Sequence, residues 1–164
     1  MTMATFDPPQ IYGYTLFCDD IRQEIGGKFS YIGVYGGGFM FIHGPFPVTL
    51  PKLCVAITLL QRREILEANI GIRIFLPGET DDNAPSIQAE FQESEEGIVA
   101  EQTAVQVAGL PKSDISFVAM QAKMLFAPFV IPQAGDLRVR AVRRGELIRL
   151  GGLRIAAAPP EQPT

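Results

Sequence analysis

His43 is the only histidine in the chain, and a histidine can serve in a catalytic triad or as a metal ligand. Either site would need Cys or carboxylate partners that the fold brings to it. The sequence contains no H-x-x-H, C-x-x-C or H-E-x-x-H spacing and no G-x-S-x-G nucleophile motif. We therefore interpret His43 as a solvated loop residue and predict that the protein is not an enzyme.

The two cysteines and a pair of adjacent aspartates are the next candidates. Cys18 and Cys54 each lie in an apolar run, which predicts buried free thiols. The count alone permits a disulfide, but a cytosolic location disfavours one. Asp19 and Asp20 could bind a hard cation or act as an acid and base pair. On a strand they would point to opposite faces, so we place both in a polar turn over residues 19–27, where they cap backbone N–H groups.

Two loops have the composition of ligand sites but not the spacing. The most calcium-like cluster consists of Glu79, Asp81, Asp82 and Asn83. It lacks the D-x-D-x-D-G pattern, so we interpret it as a solvated surface loop, with weak calcium binding as the alternative. Gly36–Gly38 is not followed by Lys-Ser/Thr or by a predicted helix, so we interpret it as a flexible hairpin link rather than a phosphate cradle. No cofactor is predicted.

Charge is segregated along the sequence. Between Glu79 and Glu101 there are eight acidic residues and no Lys or Arg, whereas 136–154 contains six arginines. Solvated faces are the simple interpretation. The sharper hypothesis is that an acidic face of one subunit contacts an arginine-rich face of another, in a head-to-tail contact that builds rings or lattices. The residues predicted to carry this contact are Arg138, Arg140, Arg143, Arg144, Glu79, Asp81, Asp82, Glu93, Glu95 and Glu96.

Length and composition limit the class of protein. A chain of 164 residues with 47% hydrophobic and 20% charged residues predicts one globular domain. A net charge of −4 argues against general nucleic-acid binding, which needs a basic face. No apolar run approaches the roughly 20 residues of a membrane span. The first ten residues lack the features of a secretory signal, so we expect the bacterial cytoplasm at synthesis.

The elements that would position these residues are short strands, because 16 glycines and 13 prolines interrupt the chain. Residues 69–76 alternate with period two, and the apolar run 52–61 predicts a strand buried on both faces. Residues 60–69 predict one helical turn or a loop. Residues 98–109 and 116–126 are ambiguous, and we favour strands in both, with a helix as the alternative for the second.

The resulting fold prediction is all-β. About eight to ten short strands predict an antiparallel β-sandwich of jelly-roll or immunoglobulin-like type. The single domain would cover 11–156, between a flexible N-terminal arm at 1–10 and a flexible C-terminal tail at 157–164. Such arms suit contacts that become ordered on assembly.

Three stretches carry a family resemblance. They are FCDDIRQE at 17–24, GGKFSYIGVY at 26–35 and FPVTLPKLC at 46–54. Together they resemble a family of small uncharacterised bacterial and prophage-encoded proteins, and they cover about the first third of the chain. That family has no assigned activity and no functional residues to map. The resemblance implies a phage or prophage origin.

We therefore expect a structural or protein-interaction module, most concretely a head-decoration or tail-associated virion component. Its partners would be further copies of the chain or capsid and tail subunits, without nucleic acid or membrane, and its final location would be the virion. The alternative is a small-molecule or carbohydrate-binding sandwich. The aromatic residues that could line such a site are Tyr12, Tyr14, Tyr31 and Tyr35.

Overall fold

The computed structural model describes residues 9–67, 69–91, 100–102 and 117–159, with the backbone alone at 100–102. In chain order the strands are β1 (Ile11–Cys18), β2 (Asp20–Gln23), β3 (Phe29–Ile32), β4 (Phe39–Ile42), β5 (Val48–Leu50), β6 (Leu53–Arg62), β7 (Gly71–Phe75), β8 (Ile87–Glu90), β9 (Ala100–Gln102), β10 (Phe117–Phe126), β11 (Phe129–Ile131), β12 (Gly135–Arg143) and β13 (Glu146–Ala157). The helical segments in these ranges are two 3-10 turns, Gly36–Gly38 and Arg63–Ile65. No helix among the described residues could therefore cross a membrane.

A four-stranded antiparallel sheet has the order β1-β6-β10-β9. Its central strand is the apolar run predicted from sequence, with Val55 and Ile57 on one face and Cys54 and Ala56 on the other, all buried. The strand prediction for 116–126 is confirmed by β10, which pairs with β6 over its whole length. Its alternation of apolar and polar side chains decided in favour of strand, despite the helix propensity of Ala, Met and Lys.

A five-stranded sheet has the order β4-β13-β12-β7-β8. Four of its strands are antiparallel, but β4 pairs in parallel with β13, from Phe39 opposite Arg154 to Ile42 opposite Ala157. The expectation of a purely antiparallel architecture is therefore wrong for this sheet. A parallel pair needs a long connection, and here it spans most of the chain.

One hydrophobic core takes side chains from both large sheets. The four-stranded sheet contributes Leu53, Val55, Ile57 and Leu59, and the five-stranded sheet contributes Ile72, Ile74, Leu137, Val139, Leu150, Leu153 and Ile155. Full burial of one such side chain stabilises the fold by about 1.5–3 kcal/mol. Because this burial fixes one face of the five-stranded sheet toward the core, the residues that alternate with it must point outward.

Two predicted loops differ from expectation. The polar turn predicted over 19–27 is instead a shorter connection at 24–28, because β2 begins at Asp20 and pairs with β3. Gly36–Gly38 joins β3 to β4, which lie in different sheets, so it is a connection between sheets rather than a hairpin link. Val48–Leu50 is also a strand, β5, which pairs with β11. The flanking Pro47 and Pro51 are compatible with this short strand, since proline is tolerated on edge strands and at strand ends.

The shared core predicts a sharp contrast between two leucines on neighbouring strands. Leu53→Ala removes a fully buried side chain from β6 and should lower the free energy of unfolding by about 2–5 kcal/mol. Leu125 on β10 is 59% exposed, so Leu125→Ala should cost less than about 1 kcal/mol. Urea unfolding monitored by circular dichroism measures both values. Equal losses in the two variants would contradict the assignment of the core.

Candidate functional site

The outer face of the five-stranded sheet carries most of the arginines of 136–154. Leu137, Val139 and Ala141 on β12 are fully buried, so Arg138 and Arg140 between them point outward. On β13, Arg154 lies opposite Asp136, and Arg149 lies opposite Arg140. We call the set Arg138, Arg140, Arg149 and Arg154 the arginine face.

A β-bulge makes this arrangement possible. Arg149 and Arg154 are five residues apart, which in an uninterrupted strand would place them on opposite faces. The register between β12 and β13 shifts between Val139 and Arg140, which leaves Leu150 as the extra residue on β13. Leu150 is buried, so the bulge reverses the alternation and both arginines face outward. The bulge lies immediately before Gly151 and Gly152.

A hollow of about 580 Å³ lies in the middle of the arginine face. Its lining consists of the four arginines, Asp136, Phe39, Gly37, Gly38, Gly151 and Gly152. The hollow is open because the glycines contribute no side chains. Gly152 is required here, since a Cβ atom at this position would lie 2.7 Å from the carbonyl oxygen of Leu137.

Edge strand β4 carries two exposed phenylalanines, and one of them, Phe39, lines the hollow. Met40 and Ile42 point into the core, so Phe39 and Phe41 point outward, where they are 53% and 57% exposed. Their rings are stacked with centroids 6.5 Å apart. Phe39 lies opposite Arg154, so this phenylalanine pair is continuous with the arginine face. All four residues of β4 are apolar, so the sequence alone did not indicate which of them face outward. The alternation of Phe with Met and Ile corresponds to the outward and inward faces, and sequence reasoning missed it.

Part of the predicted acidic–basic contact forms within the chain. Asp81 lies 2.8 Å from Arg138 Nη1 and 3.4 Å from Arg140 Nε. Arg138 also donates to the carbonyl oxygen of Glu79. Arg154 pairs with Asp136, which lies directly opposite it. The loop that carries Glu79 and Asp81 is therefore tied to β12, and the solvated-loop interpretation holds for the exposed Asp82 but not for these two residues.

The remaining predicted contact residues are separate from the arginine face. Arg143 and Arg144, at the turn between β12 and β13, each place Nε 3.0 Å from Glu67 Oε2. Glu93, Glu95 and Glu96 lie outside the described residues. No carboxylate contacts Arg149 within the described ranges, and the same holds for Arg73, which lies opposite Arg140 on β7.

The candidates for chemistry do not converge. His43 is exposed in the loop after β4. Cys18 and Cys54 are buried free thiols, as predicted, and burial together with the neighbouring Cys54 raises the pKa of Cys18 to about 11. Asp19 accepts a hydrogen bond from the Tyr35 hydroxyl at 2.7 Å. Among the described residues there is no group of three or more His, Cys, Asp or Glu that could hold a metal ion.

Asp20 is not a turn-capping residue. Its carboxylate lies 2.6 Å from Lys52 Nζ and 3.1 Å from Arg22 Nε. Hydrogen bonds from Lys52 and then Arg22 lower its pKa below the ordinary value. Asp20 therefore helps to fasten the β2–β3 hairpin to the chain that enters β6.

The tyrosines do not form a common site. Tyr12 and Tyr14 lie on the outer face of the four-stranded sheet, where Tyr12 packs edge-on against Phe117 with centroids 5.4 Å apart. Tyr35 is held by Asp19, and burial together with that hydrogen bond raises its pKa. None of the four tyrosines named above lines the 580 Å³ hollow.

Comparison of the chain with protein-family models, with curated proteins and with solved structures gave no match.

The Glu79 loop gives a prediction about pH. Burial opposes ionisation of Glu79, but hydrogen bonds from Ser86 and from the Leu76 N–H, the latter at 2.6 Å, together with Arg138, lower its pKa below the ordinary value. A lowered folded-state pKa stabilises the protein above the unfolded-state pKa, and this stabilisation is lost as the pH falls through the folded value. Glu79→Gln should cost about 1 kcal/mol at pH 7 and less at pH 3.

Urea unfolding at the two pH values measures the effect. The control is Glu90→Gln, an exposed carboxylate on β8 near the same sheet edge. A cost for Glu79→Gln that does not change between pH 7 and pH 3 would show that the ionised carboxylate is not what holds the loop.

Proposed function

We propose that this protein is a non-enzymatic structural module that self-assembles, with the arginine face and the phenylalanine pair docking on a second copy of the chain. The observation that carries the proposal is the exposed Phe39–Phe41 stack, which continues directly into four arginines. Aromatic residues and arginine are the types most enriched at protein interfaces and at their energetic hot spots.

The exposed phenylalanine pair favours contact with a partner protein over exposure to water. Two stacked phenylalanines more than half exposed on one edge strand leave apolar area in water that a partner would cover. Burial of this area contributes about 25 cal/mol per Å² to association. The edge strand itself also has a free side among the described residues, since β4 is the last strand of its sheet.

Charge complementarity supports a second copy of the chain as the occupant. The chain carries a net charge of −4, while its arginine face has an excess of positive charge. The rest of the surface is therefore more acidic than the net charge alone indicates. An arginine face of one copy would be attracted to the acidic surface of the next, which sets orientation and accelerates encounter.

The ion pairs within the chain change which residues make the contact. Arg138 and Arg140 already share Asp81, and Arg143 and Arg144 share Glu67. Within the arginine face, Arg149 is the member that has no carboxylate partner among the described residues, so it is available for a second copy. We therefore centre the contact on Arg149 and the phenylalanine pair, and the β12 arginines, which already share Asp81, contribute less to it.

The proposal extends to the architecture and the biological setting. The two large sheets, which share one core, would pack face to face as a β-sandwich with the arginine face on its outside. A face that docks on a different surface of the next copy is heterologous, and such contacts generate rings or lattices. A virion component, assembled in the bacterial cytoplasm, is the most specific form of this function, and the family resemblance of the first third of the chain supports it.

Sedimentation velocity at high protein concentration tests self-assembly. We expect oligomers in about 50 mM NaCl. Their association affinity should be about tenfold weaker in 500 mM NaCl, because salt screens the charged contact. The double variant Phe39→Ser/Phe41→Ser and the variant Arg149→Glu should each weaken association at least tenfold. The controls are Val130→Ser, an exposed apolar residue on β11, and Arg144→Glu. A native chain that stays monomeric at low salt and high concentration would rule out the proposal.

A further inference from the structure

Three arginines stand side by side across the five-stranded sheet. Arg140 on β12 lies directly opposite Arg73 on β7 and directly opposite Arg149 on β13. Side chains in such cross-strand positions are close neighbours, with Cβ atoms about 4.5–5.5 Å apart, and like charges there repel each other. The arrangement is unfavourable unless negative charge lies over it.

Among the described residues, carboxylates offset this charge only in part. Asp81 contacts Arg140 at 3.4 Å and is shared with Arg138. Asp136 is taken by Arg154. Arg140 is only 7% exposed, and its Nη1 donates to the carbonyl oxygen of Val139 at 3.0 Å. A charge buried to this degree is costly when its counter-charge is weak, so the row favours a further anion.

The hollow provides space for that anion next to the row. Arg140 and Arg149 both line it, with Arg138 and Arg154 beside them. Its volume of about 580 Å³ exceeds what a single oxyanion needs, and Phe39 supplies an apolar wall for a group attached to the anion. The planar fork of arginine binds the oxygens of phosphate and carboxylate in pairs.

We propose that this hollow is an oxyanion-binding site in which Arg149 and Arg140 hold the charged group of the ligand. The ligand chemistry is a phosphate or carboxylate group, which comes either from a free small molecule or from a carboxylate of a second copy of the chain. In the second case the proposal rests on the proposed self-assembly, and the group that the arginine face binds is a carboxylate of the second copy.

Titration with inorganic phosphate tests the site. The full chain is titrated at constant ionic strength maintained with NaCl, and Tm is measured by calorimetry at each concentration. Ligand that binds only the folded state raises Tm along a saturation curve. Arg149→Gln should weaken phosphate binding about tenfold or more, because it removes a charge-assisted hydrogen bond. Arg144→Gln, at the far hairpin, should leave the affinity within about twofold of native.

Tm of Arg149→Gln in the chloride buffer without phosphate is a second measurement. It distinguishes a ligand-binding Arg149 from an Arg149 that only stabilises the fold. Removal of one of three repelling charges should leave Tm in chloride unchanged or raised in Arg149→Gln. A lowered Tm in chloride, an equal phosphate response in Arg149→Gln and Arg144→Gln, or the lack of a saturable response in the native chain would each overturn the site.

Sedimentation velocity in the same buffers shows whether the oxyanion is a free anion or a carboxylate of a second copy. It also distinguishes failure of the oxyanion site from failure of self-assembly. If phosphate raises Tm and dissociates oligomers, a carboxylate of the second copy occupies the site. If phosphate raises Tm of a chain that is monomeric throughout, the ligand is a free anion, the site stands and self-assembly fails. If the chain assembles through Phe39 and Phe41 but gives no phosphate response, the site fails and self-assembly stands.

Discussion

The pairing of β12 with β13 is the constraint on which the rest of the structure depends. Each strand has one face in the shared core, so core packing alone fixes which residues face outward. The one-residue bulge at Leu150 then shifts the alternation of β13 without removing either Leu150 or Leu153 from the core. The arginine face and its hollow follow from that shift, because Arg149 and Arg154 could not otherwise share a side of the sheet.

The sequence predicted the strands better than it predicted their partners. Period-two alternation identified β7 and β10, and a continuous apolar run identified β6, since burial of one or both faces leaves a local signal. The parallel pairing of β4 with β13 leaves no such signal, because it depends on residues far apart in the chain. The first part of the turn predicted over 19–27 is a strand for a related reason. Asp20 is compatible with strand β2 because Lys52, distant in sequence, supplies a counter-charge.

The candidate site was predictable in its charge but not in its geometry. The concentration of arginine in 136–154 is visible in the sequence, and so is the acidic character of 79–83. Whether those charges meet within one chain depends on how the loop after β7 folds back over β12, as Asp81 does onto Arg138 and Arg140. This internal pairing leaves Arg149, which is not among the contact residues predicted from sequence, as the member of the arginine face without a carboxylate partner in the described residues.

The position of β4 also has a consequence for the timing of synthesis. Its backbone partner in the described structure is β13, whose pairing residues 154–157 lie more than a hundred positions later in the chain. The ribosome therefore releases Phe39 and Phe41 long before the strand that holds them at the sheet edge exists. A closure of this length is entropically costly and slow, so the edge is among the last parts of the fold to form. A nascent chain in which β13 has not yet been synthesised therefore cannot present the completed edge to a neighbouring copy.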